Sequence, residues 1–128
     1  MNIHELLSRY AAGQRNFSDL SLIAVKLRSV NLRNANFSGA NLTSANLSHC
    51  QLSGADFRNA RLGNVDFSNS NLTGANFAGA TLVGANLTNA NLTEANLSKT
   101  DLSNVNLTQA HLRHATLPSK DSQEISAK

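Results

Sequence analysis

The chain has no tryptophan, and among its 128 residues proline, cysteine, tyrosine and methionine occur once each. A single cysteine, Cys50, excludes an internal disulfide and with it a disulfide-stapled secreted domain. No apolar run approaches the ~18 residues that a membrane span needs. Residues 1–14 lack a charged segment followed by an apolar core, so no secretory leader is expected and a cytoplasmic protein is. Charge is also scarce. Only 15% of residues are charged, against roughly 25% in ordinary globular chains, which argues against a highly charged disordered chain. The length fits one domain.

What the chain does have is repetition. Nineteen leucines and eighteen asparagines are too many for an irregular fold of this size. From Phe17 to Leu117 every fifth residue is Leu or Phe, 21 positions in succession, and only Leu20 lies off that grid. Two residues earlier in each unit runs a second apolar column, small in most units: Ala35, Ala40, Ala45, Cys50, Ala55 and onward to Ala115. Arg15, Ser70 and Thr100 interrupt it. The residue between the two columns is usually Asn or Asp, as at Asn36, Asn41, Asp56 and Asn91.

A period of five fits neither a simple helix nor a simple strand, because both would scatter the large residues over different faces. It needs a coil whose length is a multiple of five. Phe17, Phe37, Phe57 and Phe77 lie twenty apart. Four units per coil would stack these rings in one column, one strand spacing of about 4.8 Å apart. Each coil is then a square with large residues at its centre and small ones filling the gaps, as close packing requires. The other three positions of each unit face outward. Two residues after the large one, Gly or Asn occurs in eleven of the 21 units, the types that tolerate the positive φ of a sharp corner.

Units such as Ala35-Asn36-Phe37-Ser38-Gly39 and Ala85-Asn86-Leu87-Thr88-Asn89 resemble the pentapeptide-repeat family, whose pattern is A-[DN]-[LF]-[ST]-x. The resemblance covers residues 15–117. It implies an all-β solenoid: a right-handed quadrilateral β-helix, here of about five coils with an N-terminal α-helical cap.

The cap is expected over residues 1–14, where Ile3, Leu6, Leu7 and Tyr10 follow helical spacing. Asn2 is placed to cap the helix and Gly13 to end it. A solenoid exposes its bore and unpaired backbone at each end, so a lid is needed. The segment also resembles the leader before the repeats in short family members of photosynthetic bacteria. Residues 118–128 are polar and read as a flexible tail. The last coil then lacks an obvious lid, and the chain is expected to be a monomer or an end-to-end homodimer through its C-terminal coil.

Convergent nucleophiles, acids and bases are missing. Cys50 falls in an inward column and reads as a small hydrophobe. Glu94 and His114, twenty apart, stack on one side and could be a metal or acid–base pair; the plainer reading is an exposed ion pair. No phosphate-binding loop appears. No enzyme, no cofactor and no metal site are expected. Net charge is +3, and all of the excess lies in residues 1–33, where Lys26, Arg28 and Arg33 form a modest patch. That is too small, and too poor in aromatics, for a strong nucleic-acid signal.

The leading expectation is a non-enzymatic scaffold that binds an unknown protein partner with one side or one end. Candidate contacts are departures from the repeat: Arg58 and Arg61 at one corner, the outward Ile23 and Val83, and the basic patch. Two alternatives stand. The resemblance admits a DNA-mimic binder of DNA gyrase, a role that needs an acidic rod and so conflicts with the positive charge. Ser/Thr ladders such as Ser53, Thr73 and Thr93, or Ser48, Ser68, Thr88 and Thr108, admit an ice or surface binder.

Overall fold

The computed structural model describes residues 1–119. The bonds that hold the coil together are read most simply from one unit, Ala35–Gly39. The Asn36 amide donates back to the Arg15 carbonyl at 2.7 Å, and the Phe37 amide donates forward to the Asp56 carbonyl at 2.7 Å. The Gly39 amide donates to the Arg58 carbonyl at 2.9 Å. The Ala35 amide closes a turn onto the Leu32 carbonyl at 3.1 Å. The fifth amide, Ser38, donates to Asn36 Oδ1 at 2.9 Å. All five amides are thus satisfied, three by adjacent coils, one by a turn and one by the asparagine side chain. The polar column exists for that last bond.

Every parallel bridge joins residues twenty apart, from Asn16 with Asn36 to Asn96 with Thr116. The bridges fall into four columns, which define four sides. The first side carries Asn16, Asn36, Asp56, Asn76, Asn96 and Thr116. The second carries Ser21, Asn41, Arg61, Thr81 and Asp101. The third carries Lys26, Asn46, Asp66, Asn86 and Asn106, and the fourth Asn31, Gln51, Asn71, Asn91 and His111.

The large residues from Phe17 to Leu107 are all buried, with the small column between them. Phe37 stacks on Phe57 with centroids 5.6 Å apart, and Phe57 on Phe77 at 5.1 Å. Phe67, from the third side, meets both Phe57 and Phe77 edge-on. Edge-to-face and offset contacts of this kind add to the area they bury. The polar residues of the small column are bonded. Ser70 donates to the Leu47 carbonyl at 2.6 Å and accepts from the Cys50 amide at 3.0 Å. Thr100 donates to the Phe77 carbonyl at 2.9 Å.

The corners differ from the sequence expectation. All twenty corner residues from Asp19 to His114 have positive φ, between 55° and 74°, although only five are glycine. Ala24, Glu94, Lys99 and His114 accept the left-handed conformation, which costs roughly 1–2 kcal/mol per non-glycine residue. The coil imposes it because each corner amide must reach the next coil. Glycine is demanded for a further reason at Gly54, where a Cβ would overlap Asn34 Oδ1 of the coil below.

Helix α1 (Ile3–Ala11) begins at Asn2, whose Oδ1 accepts from the Glu5 amide at 2.8 Å. Leu6 is fully buried, and Ile3, Leu7 and Tyr10 pack beside it on the core. The Tyr10 hydroxyl donates to the Arg33 carbonyl at 2.9 Å. One coil further on, the equivalent carbonyl of Ser53 accepts the Asn34 amide. The phenol therefore stands where another coil would supply an amide. Arg15, the first departure from the small column, lies 3.7 Å over the Tyr10 ring and binds the Tyr10 and Gln14 carbonyls. At the other end burial thins: Leu112 is partly buried and Leu117 is 42% exposed. The segment 118–128 read as a tail lies outside the described residues apart from Pro118 and Ser119.

Candidate interaction surface

Outward positions come in pairs two residues apart, flanking each buried large residue, and both members point to the same side. In the regular unit the first is Asn or Asp and the second Ser or Thr. The first then accepts both the amide and the hydroxyl of the second. Thr73 does this with Asn71, the hydroxyl at 2.7 Å. Thr93 does it with Asn91 at 2.6 Å. The same holds at Ser48, Ser68, Thr88 and Thr108. At every position of the two proposed ladders except Ser53 the hydroxyl hydrogen is therefore turned into its own side, which takes it from a water-ordering surface.

Departures from this pairing are not spread evenly. On the second side, Ser21 is paired with Ile23, Arg61 with Gly63 and Thr81 with Val83. None of these three has the side-chain bond of the regular unit. The other two units of that side keep it, Thr43 on Asn41 and Ser103 on Asp101. The fourth side keeps it in full at Asn71 and Asn91 and lacks it at Gln51 with Ser53 and at His111 with Arg113, both polar pairs. Ile23, Arg61 and Val83 thus share one side. Ile23 is 57% exposed, Arg61 is exposed and Val83 is half-buried. Gly63 and Thr81 belong with them and were missed in reading the sequence. Only sorting the units at a period of twenty would have found them.

The remaining candidates lie elsewhere. Arg58 is on the first side, across the Asn59 corner from Arg61. Its charge is not free. Its Nη2 donates to Asp56 Oδ2 at 2.7 Å and its Nε lies 3.0 Å from both carboxylate oxygens. These bonds hold the Asp56 carboxyl below its usual range. Lys26 and Arg28 are a pair on the third side, both exposed. Arg33 is on the fourth side, with Nη2 on Gln51 Oε1 at 3.0 Å.

No catalytic grouping is assembled from these residues. Cys50 is buried and donates to the Leu27 carbonyl at 2.8 Å, and burial pushes its thiol up, away from a reactive thiolate. Glu94 and His114 share a corner column, but His114 Nε2 lies by Arg113 Nε at 3.4 Å. Among the described residues no group of three or more His, Cys, Asp or Glu could hold a metal ion. No helix among them is long and apolar enough to cross a membrane.

A family model described as pentapeptide repeats matches residues 16–59, 50–89 and 90–118, in eight copies. The chain belongs to the pentapeptide-repeat family. It is similar to a solved pentapeptide repeat protein from the cyanobacterium Cyanothece 51142, with 30% identity, a TM-score of 0.70, and coverage of 93% of this chain and 97% of that one. It is also similar to a pentapeptide repeat protein from the Arabidopsis thaliana thylakoid lumen, with 35% identity, a TM-score of 0.57, and coverage of 69% and 65% respectively. No curated protein matches it significantly. Pentapeptide-repeat proteins are generally structural or interaction proteins.

Proposed function

We propose that this pentapeptide-repeat protein is a non-enzymatic scaffold that docks a protein partner on its second side. The observation that carries the reading is the gathering of the apolar and glycine departures Ile23, Gly63 and Val83, with Arg61, on that one side; the units of the fourth side carry polar pairs throughout, two of them self-bonded Asn/Thr pairs. A surface whose polar groups satisfy each other offers a partner little. The second side offers an exposed isoleucine, a half-buried valine, a glycine that lets another chain approach, and a guanidinium with no bond or ion pair among the described residues. Arginine is among the residue types enriched at binding hot spots, and the apolar side chains beside it gain from being covered. The reading takes the rod to be a right-handed quadrilateral β-helix of about five coils, the number that steps of twenty from Asn16 to Thr116 require. It takes the compartment to be cytoplasmic and needs no cofactor.

Affinity capture from a native lysate, with mass spectrometry, tests it. A saturable partner held by the unaltered chain and lost with Arg61→Glu plus Val83→Lys is the expected result. Retention by that variant would reject the second side. Capture of the chain by itself would favour the end-to-end homodimer.

A further inference from the structure

The unit Lys26–Leu27–Arg28 has the same geometry as Asp56–Phe57–Arg58, and the contrast between them is informative. Each places two outward side chains next to each other on one side, flanking a buried large residue. In the second unit the aspartate takes the arginine in a fork of bonds at 2.7 and 3.0 Å, so the pair is self-neutralised. In the first unit two cations stand side by side. Like charges in such positions repel and cost stability. No carboxylate repays the cost. Asn46 lies next to Lys26 along the bridge column, and the nearest acid in that column, Asp66, is two coils away. Asp66 already accepts the Ser68 amide and hydroxyl. Arg9 is paired with Glu5 and Arg15 lies on Tyr10. Neither Lys26 nor Arg28 has a bond or ion pair among the described residues.

We infer that Lys26 and Arg28, with Ile23 around the corner at Ala24, form an electrostatic docking site for an acidic protein segment that carries an apolar residue. This site lies at the lid end, mainly on the third side, and shares only Ile23 with the second-side face; the variants that test the two have no residue in common, so the two can fail independently. Charge complementarity chooses the partner. Two adjacent unpaired cations take two adjacent carboxylates, and Ile23, at 57% exposure, covers an apolar side chain beside them. Arg33 adds positive potential from the fourth side while its guanidinium is held by Gln51. Nucleic acid fits less well. The five phenylalanines are buried, and the remaining aromatic, Tyr10, is engaged at its ring by Arg15 and at its hydroxyl by the Arg33 carbonyl, so the patch has no ready stacking platform for a base.

The test uses the full chain and a fluorescein-labelled polyglutamate peptide with one central leucine, followed by fluorescence anisotropy at low salt. Lys26→Asp rebuilds the self-neutralised unit on this side. It is expected to weaken peptide binding about tenfold or more and at the same time to raise the melting temperature, a pairing of effects that a purely structural role would not produce. Lys99→Asp, the same charge change towards the other end, should leave binding within about twofold. Equal loss in both variants would mean that net charge alone binds the peptide and would overturn the site. So would absence of binding, or unchanged binding in Lys26→Asp. Tighter binding of an oligothymidine than of the peptide, lost in Lys26→Asp, would overturn the protein-segment assignment in favour of nucleic acid.

Discussion

The second and fourth sides of the rod share one backbone and present different surfaces. Both bridge to neighbouring coils at the same spacing of twenty, and both bury a leucine at every unit from the first coil to the fourth. On the fourth side Asn71 and Asn91 spend their side chains on Thr73 and Thr93, as Asn41 and Asp101 of the second side do on Thr43 and Ser103. On the second side Arg61, Gly63, Thr81 and Val83 do without that bond, yet the ladder is undisturbed: the Leu62 amide still reaches the Thr81 carbonyl at 2.8 Å. The difference teaches that the two inward residues of each unit carry the fold. The outward pair is a local reinforcement that can be given up where the surface has another use.

The sharpest way to break that comparison is to move a charge from outside to inside. Leu72→Asp places a carboxylate in a fully buried position and should cost several kcal/mol, enough to unfold the central coils. Thr73→Asp, one residue away and outward, should cost no more than about 1 kcal/mol. Thermal melts followed by circular dichroism decide it; equal melting temperatures would refute the inward and outward assignment.

A smaller effect separates the two sides directly. Asn71→Ala removes the acceptor of both the Thr73 amide and its hydroxyl, and about 1 kcal/mol of destabilisation is expected by urea titration. Arg61→Ala, at the matching position of the second side, supports no such bond and should change stability by less than about 0.5 kcal/mol. Similar losses in the two variants would show that the outward pair is not what distinguishes the sides.

The smallest effect concerns the first side. The hydrogen bonds from Arg58 lower the folded-state pKa of Asp56 below that of the unfolded chain. The stabilisation is therefore complete above the unfolded value of about 3.9 and is lost as pH falls through the lower folded value. Melting temperatures compared at neutral pH and in that acid range should show a slightly steeper acid loss in the unaltered chain than in Asp56→Asn. The exposed position of Arg58 keeps the difference small.

Much of the architecture was legible because burial writes a strict period. Leu or Phe at every fifth position named the core, and four phenylalanines twenty apart named the coil. The corners were half legible: Gly and Asn mark the conformation, but Glu94, Lys99 and Gln109 adopt it because the ladder, not the residue, decides. The asparagine column was visible without its purpose, since a side-chain acceptor for the second residue on appears only when every amide is accounted for. The proposed binding face was hidden for a simpler reason. Reading at a period of five averages the four sides together, so Ile23, Arg61 and Val83 looked like scattered exceptions. The fork from Arg58 to Asp56 could have been read, since residues two apart on one side of a strand are neighbours.

The central claim is that the second side, and not the fourth, meets another protein. Photo-crosslinking tests it most directly, with a benzoylphenylalanine placed in turn at Val83 and at Thr93, half-buried outward positions on the two sides. Irradiation in a native lysate should give a discrete crosslinked species from position 83 and none from position 93. The same species from both positions, or from position 93 alone, would contradict the account.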